Sequence, residues 1–392
     1  MFSSTGVGIL ALLLGFLLNR IIPFLQRHCV PVPVTGGLVI SLLTLLLYSV
    51  WDIECVFNGT IKDFCMTAFF TFAGFLCNIK VVRSGGRPLF LMLALVAVLI
   101  LAQNALSIGL SWAMGRDTLF GIATGSMPMC GGHGTSAGFS PLLEQHGLDG
   151  AASLTMAAAT FGLIAGSIMG GPLSDALIRH RKPADLEASS DEESVSNDKG
   201  DAPAGGKAGL AVTLLMLLVA MALGTALNAF FARIGFIVPS YFGALVAAVL
   251  LRNIAGCVPA LSKQIDDRSV RRIATVFLAL FLGMAMAFLR LWELKSMALP
   301  LAVILMAQVV LMALYAIFVA YPVLGKNYES VVLVSGLCGF GLGATPNALA
   351  NMEAVCSKYR PAIRPFLIVP IIGAMFLDII NIAVITLLLN LF

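Results

Sequence analysis

Two glycine-rich segments carry the residue types best suited to binding a small ion or solute. They are residues 131–138 (GGHGTSAG) and, 210 residues further on, residues 341–348 (GLGATPNA). Glycine allows close approach of the backbone, and the N–H groups at the start of a helix favour a carboxylate. Free carbonyl oxygens and hydroxyl groups are suitable ligands for sodium. Such a pair in the two halves of one apolar chain is typical of the binding site of a membrane carrier.

The candidate substrate-binding residues come from both segments. They are Gly132, His133, Gly134, Thr135, Ser136, Gly343, Ala344, Thr345, Pro346 and Asn347. The role of the histidine stays open, because it can contact substrate, relay a proton or simply hydrogen-bond to a backbone carbonyl.

A second candidate set serves ion coupling. It consists of Asp378, Asn381, Gly341 and Asn351. Among the 20 acidic residues, only Asp378 lies in the middle of a long apolar segment. A carboxylate at membrane depth costs a few kcal/mol, so it normally faces a cavity or a partner. We therefore favour an ion-binding role for it over that of a protonated structural acid.

Other polar and small residues inside apolar segments favour structural roles. Gln103, Asn104 and Gln308 are interpreted as interhelical hydrogen-bonding groups. The run Gly162, Gly166 and Gly170 repeats every four residues, which predicts close packing of two helices.

The composition indicates a membrane protein. The chain is 59% hydrophobic and 11% charged, with a mean hydropathy of +0.98. We predict an all-α fold whose apolar segments each approach the ~20 residues that a bilayer requires. The ten predicted spans are 4–22, 33–51, 64–82, 88–114, 150–178, 208–232, 238–256, 272–292, 296–322 and 366–391. Glycine and proline break two further segments, 119–141 and 329–352, which we predict to be re-entrant hairpins. The first span has neither a basic n-region nor a cleavage site, so it is predicted to be retained rather than removed as a signal peptide.

The positions of the basic residues predict the orientation in the membrane. Placing both termini outside leaves 19 of the 24 basic residues on the inner side, as the positive-inside rule requires. The outer five are Lys62, Arg116, Arg233, Arg290 and Lys295. The net charge of +4 gives no reason to expect a nucleic-acid partner.

The chain divides into two similar halves around a polar segment. Residues 179–207 are dense in charged and small residues, which predicts a disordered cytoplasmic linker. Residues 1–178 and 208–392 would each form a five-span repeat. Pro33 with Gly37 corresponds to Pro239 with Gly243, and residues 102–103 (AQ) correspond to residues 307–308 (AQ). An odd number of spans per repeat inverts one repeat relative to the other, so the first hairpin enters from outside and the second from inside.

Enzymatic and metal-binding patterns are weak. Residues 134–138 (GTSAG) match the nucleophile elbow G-x-S-x-G, which requires an α/β sheet that this composition does not predict. A membrane enzyme built around Ser136 remains a minor alternative. The eight cysteines have no C-x-x-C spacing, so no metal site is predicted beyond one for transported sodium.

The motifs resemble those of a known family. They are residues 131–135 (GGHGT), 341–346 (GLGATP), 350–352 (ANM), 366–370 (FLIVP) and 376–378 (FLD), followed by Asn381. With them the chain resembles the glutamate:sodium symporter family of bacterial inner-membrane carriers. The resemblance implies an elevator-type homodimer that imports L-glutamate with sodium and needs no cofactor. A cation- or proton-coupled carrier of another organic anion, such as a hydroxy- or dicarboxylate, is the alternative within transport.

Overall fold

All the regular structure in the described part of the chain is helical. The computed structural model describes residues 4–27, 30–77, 86–181, 183, 206–257, 265 and 267–392. The helices are α1 (Ser4–Ile21), α2 (Pro23–Arg27), α3 (Val32–Trp51), α4 (Thr60–Phe75), α5 (Gly86–Ala113), α6 (Thr118–Thr124), α7 (Ser126–Met129), α8 (Gly132–Gln145), α9 (Ala151–Arg181), α10 (Gly206–Arg233), α11 (Phe242–Ala255), α12 (Asp267–Ala287), α13 (Ala298–Tyr315), α14 (Tyr321–Val323), α15 (Tyr328–Leu342), α16 (Thr345–Lys358), α17 (Ile363–Ile371) and α18 (Leu377–Leu391). A 3₁₀ turn covers Leu291–Ser296, and π-helical turns cover Ala316–Ala320 and Ile372–Phe376.

Six of these helical segments are long and apolar enough to cross a membrane. They are Val32–Trp51, Gly86–Ala113, Ala151–Arg181, Val212–Arg233, Ser269–Ala287 and Ala298–Val323. Shorter apolar helices cover Thr5–Ile21, Phe242–Ala255, Tyr328–Leu342 and Leu377–Leu391. Large apolar side chains such as Phe16 and Leu299 are more than 60% exposed, which is favourable only in contact with lipid or another apolar partner. The all-α membrane class is confirmed, whereas ten spans stay a prediction.

The described helices fall into two compact units. One comprises Met1–Lys62, Arg87–Leu186 and Ala279–Phe392, and the other comprises Asp63–Gly86 and Glu187–Leu278. In the first unit, α9 is the central helix, because it packs against α8, α15 and α16. In the second unit, α4, α10, α11 and the start of α12 enclose a core that includes Phe72, Phe75 and Leu217.

Polar and aromatic contacts also stabilise the second unit. The rings of Phe70 and Tyr241 stack with their centroids 3.9 Å apart. The buried Arg252 guanidinium donates from Nη2 to both carboxylate oxygens of Asp267 at 3.0 Å, which compensates for burial of its charge.

A pair of glycines brings two helices together in each half of the chain. In the first unit, a Cβ atom on Gly15 would overlap Val32, and one on Gly36 would overlap Ala11, so α1 and α3 touch through their backbones. In the second unit, a Cβ atom on Gly224 would overlap Ala244 of α11. Gly243 lies equally close to α10. This matched packing agrees with the similarity between the halves of the sequence, although the repeat boundaries stay a prediction.

Two helical hairpins follow long helices at corresponding places. Hairpin A (118–145) consists of α6, α7 and α8, and hairpin B (328–358) consists of α15 and α16. Each starts with an N-cap: the Asp117 side chain accepts from Thr118 N–H at 2.6 Å, and Asn327 accepts from Ser330 N–H at 2.8 Å. At 1.5 Å per residue, the 15-residue α15 spans about 22 Å, less than the ~30 Å hydrocarbon core of a bilayer.

Several predicted boundaries differ from the observed ones. The glycine-rich segment 131–138 is mostly helical rather than irregular, because α8 starts at Gly132 and the break before it covers residues 130–131. The segment 341–348 is also mostly helical, with its break at residues 343–344. The predicted linker lies largely outside the described residues, but α9 continues through Arg181 and α10 starts at Gly206. The predicted span 64–82 corresponds to α4, and its last residues lie outside the described part.

We expect Gly36→Val to destabilise the protein strongly, because the new side chain would separate α1 from α3. Overpacking costs about 1–3 kcal/mol, and a clash with backbone falls at the upper end of that range. The measurement is the apparent unfolding midpoint of the detergent-solubilised protein. Gly109→Val is the matched control, since a Cβ atom on Gly109 meets nothing within 4 Å. Equal midpoints for the two variants would contradict the close contact.

Candidate functional site

The tips of hairpins A and B meet through glycines. Gly132 has a φ of 59°, a conformation that favours glycine. A Cβ atom on this residue would lie 3.1 Å from the carbonyl oxygen of Gly343 in the tip of hairpin B. The structure therefore brings together the two segments that the sequence singled out.

A buried amide chain connects the two tips through α5. Gln103 Nε2 donates to the carbonyl oxygen of Gly341 at 2.7 Å, and the Cys130 thiol donates to Gln103 Oε1 at 3.1 Å. Gln308 Nε2 of α13 donates to the backbone carbonyl of Gln103 at 2.9 Å. The predicted interhelical role of both glutamines is confirmed. The Gly341 carbonyl, assigned to ion coupling from the sequence, already accepts hydrogen bonds.

A second network joins α5, hairpin A and α18. Asn104 Nδ2 donates to Ser126 Oγ at 2.7 Å, and Ser126 Oγ donates to Asn381 Oδ1 at 2.6 Å. Asn381 Nδ2 returns a hydrogen bond to the Ser126 carbonyl at 3.1 Å. All three side chains are buried. The interhelical role predicted for Asn104 is confirmed, whereas sequence reasoning missed Ser126, which opens the short helix α7.

His133 points toward α9 rather than lying free in a turn. Its Nε2 atom is 3.0 Å from Thr160 Oγ1, and the side chain is 5% exposed. One ring nitrogen is thus already occupied by a neutral hydroxyl on the adjacent helix. This contact favours a structural or positioning role among the alternatives that the sequence left open.

Three polar atoms at the tips have no hydrogen-bond partner among the described residues. They are Thr135 Oγ1, Ser136 Oγ and Asn347 Oδ1, on side chains that are at most 1% exposed. An unsatisfied buried polar atom costs about 1–3 kcal/mol, so each one requires an explanation. A bound polar ligand or ion would supply the missing partner.

Hairpin B is attached to α9 by two asparagines. Asn347 Nδ2 donates to the Leu163 carbonyl, and Asn351 Nδ2 donates to the Gly166 carbonyl, both at 2.8 Å. A Cβ atom on Gly162 would overlap the Leu342 carbonyl, and one on Gly170 would overlap Asn351. The predicted packing role of the glycine run is confirmed. The amide of Asn351, a candidate ion ligand, is used in this packing.

Both tips contain the start of a helix without a side-chain cap. Within the described structure, neither Gly131 nor Ala344 supplies a capping side chain to α8 or α16. The start of each helix therefore carries partial positive charge toward the tip. Gly134 and Thr345 are half-buried and Pro346 is exposed, so the starts of α8 and α16 are partly accessible from outside the protein core.

Asp378 lies on the segment that crosses both tips. It is half-buried in the first turn of α18, immediately after the π-helical turn Ile372–Phe376. No hydrogen bond or ion pair joins its carboxylate to another described residue. Asn381, one turn further, contacts hairpin A, while a Cβ atom on Gly373 would overlap Thr345 of hairpin B. Among the described residues, no three His, Cys, Asp or Glu side chains form a metal-binding group.

A cavity of about 300 Å³ lies beside α8, on the side of its C-terminal end. Its charged lining residues are Lys62, Glu144, Asp149, Arg290 and Glu293. Burial raises the pKa of the Glu293 carboxyl above its ordinary value, and the neighbouring Arg290 opposes this shift. Local sequence patterns contain no signal for this cavity, because its lining comes from four separate segments.

Comparison with known proteins identifies the family. The model of the Sodium/glutamate symporter family matches residues 1–361. The chain is 39% identical to a sodium/glutamate symporter of Escherichia coli (strain K12) over 390 residues, covering 97% of this chain and 95% of that protein. It is 35% identical to a sodium/glutamate symporter of Haemophilus influenzae over 387 residues, with the same coverage of both chains. The chain therefore belongs to the sodium/glutamate symporter family, and it is a membrane transporter rather than an enzyme.

Proposed function

We propose that this protein imports L-glutamate across the bacterial inner membrane in symport with sodium. The observation that carries the proposal is the meeting of two glycine-rich hairpin tips, each with an uncapped helix start and unpartnered polar atoms. The names of the relatives supply the substrate and the ion.

The substrate carboxylates are proposed to bind at the starts of α8 and α16. These helix starts direct partial positive charge toward the tips, which suits an anion. The proposed contacts come from residues 132–136 and 343–347. Within these segments, the hydroxyls of Thr135 and Ser136 and the amide oxygen of Asn347 offer unpartnered polar atoms.

The coupled sodium ion is proposed to bind near Asp378. Its half-buried carboxylate has no partner among described side chains, and Asn381 lies one helical turn away. Carbonyl oxygens at the tip of hairpin B would complete an all-oxygen set. Among the candidates, the Gly341 carbonyl is partly used, since it already accepts a hydrogen bond from Gln103 Nε2. Asn351 fits this role less well, since its amide is bonded to α9.

The transport cycle is proposed to be alternating access of the elevator type. In this proposal both hairpins are re-entrant and the chain crosses the membrane ten times. Both termini are periplasmic, and the central linker is cytoplasmic. The short half-helices of the hairpins and the matched glycine contacts of α1–α3 and α10–α11 support two inverted repeats. We also propose a homodimer, surrounded by lipid.

Of the two alternatives to glutamate symport, one is compatible with the structure and the other is not. A carrier of another organic anion stays compatible with the same tips, because helix starts recognise carboxylates in general. The serine-enzyme alternative is wrong, since the chain belongs to a transporter family. In addition, the Ser136 hydroxyl is fully buried, and the nearby His133 contacts Thr160 instead.

We expect proteoliposomes to accumulate radiolabelled L-glutamate under an inward sodium gradient and not under an equal potassium gradient. Sodium is required because its downhill entry drives the accumulation. Uptake under a proton gradient alone, or uptake of only hydroxy- or dicarboxylates in a competition panel, would favour the alternative carrier.

We expect Asp378→Asn to raise the sodium concentration for half-maximal uptake by about tenfold, which corresponds to about 1.4 kcal/mol of ion binding. The amide keeps the size of the side chain but removes its negative charge. Glutamate affinity at saturating sodium should change much less. Asp63→Asn, at an exposed acid on α4, is the control. Unchanged sodium activation in Asp378→Asn would remove this residue from the ion site.

We expect Gly343→Val to abolish uptake while the protein still inserts in the membrane. The new Cβ atom would lie 2.9 Å from both Asn347 Nδ2 and the Gly339 carbonyl, which would displace the tip. Uptake and membrane-fraction yield are measured together. Gly171→Val serves as control, because a Cβ atom there meets nothing within 4 Å. Normal uptake by Gly343→Val would show that the tip of hairpin B is not the site.

A further inference from the structure

A separate cavity lies at the ends of two candidate membrane spans. It has a volume of about 450 Å³, within the ~300–1,000 Å³ typical of pockets for small ligands. Its lining includes Arg181 and Pro183 at the end of α9, Phe318 of the π-helical turn, Tyr321 and Pro322 of α14, and Lys326. Neither the predicted substrate residues nor the ion-coupling residues lie in it.

Two cations give this cavity its charge. Arg181 and Lys326 are both exposed, and neither forms an ion pair within the described ranges. Among the residues that the structure describes, no acidic side chain lines the cavity. The turn is held in place because the Tyr321 hydroxyl donates to the Lys326 carbonyl at 3.0 Å. The cavity is therefore a positively charged site built by three helical segments.

The surface next to the cations is apolar. On α13 and its continuation, Leu314 is 50% exposed, Phe318 is 63% exposed and Val323 is 46% exposed. These side chains belong to the candidate span Ala298–Val323, whereas Lys326 follows the end of that span. The two cations thus lie where a spanning helix reaches the polar surface of the bilayer, beside a surface that faces acyl chains.

We propose that this cavity binds the headgroup of an anionic phospholipid. The phosphate would lie between the Arg181 guanidinium and the Lys326 ammonium, and an acyl chain would run along Leu314 and Phe318. Basic pockets at the ends of membrane helices bind anionic headgroups in this way. The inference goes beyond the proposed transport function and does not depend on the identity of the transported solute.

The apolar part of the lining distinguishes a lipid from free phosphate. A free phosphate ion uses only the two cations and leaves the aromatic and proline surface in contact with water. A phospholipid covers that surface as well, and burial of apolar surface away from water is favourable. The combination of both surfaces therefore favours the lipid.

The experiment measures the unfolding midpoint of the purified full-length protein in a neutral detergent during titration with dioleoyl-phosphatidylglycerol. We expect this lipid to raise the midpoint of the wild type. In the double variant that carries Arg181→Gln and Lys326→Gln, the apparent affinity for this lipid should fall about 30-fold. The reason is that each basic residue near a charged lipid surface contributes about 1 kcal/mol. Dioleoyl-phosphatidylcholine and sodium phosphate, titrated separately, should raise the wild-type midpoint much less.

The control variant carries Arg271→Gln and Arg272→Gln, two exposed basic residues on α12, and makes the same change in net charge. It should respond to phosphatidylglycerol as the wild type does. Arg181→Lys with Lys326→Arg keeps both charges and should retain most of the response. An unchanged titration curve for the glutamine variant would overturn the proposal, and so would an equal response to phosphatidylcholine or to phosphate.

Discussion

The contact between the tips of hairpins A and B depends on one constraint, which is that backbone polar groups buried away from water need partners from the protein itself. Each hairpin interrupts its helix and releases carbonyl and N–H groups. Gln103 Nε2 donates to the Gly341 carbonyl at the interruption in hairpin B. Asn381 Nδ2 donates to the Ser126 carbonyl near the interruption in hairpin A. These side chains come from α5 and α18, so the packing of those helices follows from the need to satisfy the interruptions. The uncapped starts of α8 and α16 remain available on the accessible side.

Helix α9 makes this arrangement possible because one of its faces carries almost no side-chain volume. Gly162, Gly166 and Gly170 let hairpin B approach the backbone of α9, and the asparagine amides of α16 reach the exposed carbonyls. On α9, Thr160 contacts His133 of hairpin A. One helix from the first half of the chain therefore positions hairpins from both halves. Side chains larger than glycine at these positions would push hairpin B away and would leave the asparagine amides without their acceptors.

The sequence was sufficient to predict the class of fold, the two helix interruptions and the glycine packing of α9, because composition and residue spacing encode these features directly. Helix boundaries within the glycine motifs were harder to predict, since residues 132–138 are helical once α9 and hairpin B cover them. The link between Ser126 and Asn381 joins residues 255 positions apart, and a single sequence contains no signal for such a pairing. The same holds for the charged cavity beside α8, whose lining becomes contiguous only after folding. Long-range polar pairs and cavities are properties of the tertiary structure rather than of local patterns.

The distribution of satisfied and unsatisfied groups bears on how a carrier of this design would couple ion and substrate. Hydrogen bonds from Gln103 and Asn351 hold hairpin B to α5 and α9. Thr135, Ser136 and Asn347, in contrast, retain polar atoms without partners among the described residues. The Asp378 carboxylate likewise has no hydrogen bond or ion pair to another described residue. In the proposed mechanism, sodium neutralises the negative charge of the Asp378 carboxylate beside the tips. The carboxylate then no longer offsets the positive charge of the helix starts, so these attract the anionic substrate more strongly. Binding of either ligand would therefore favour binding of the other, as symport requires. The paired groups set the geometry of the site, and the unpaired ones leave it dependent on its ligands.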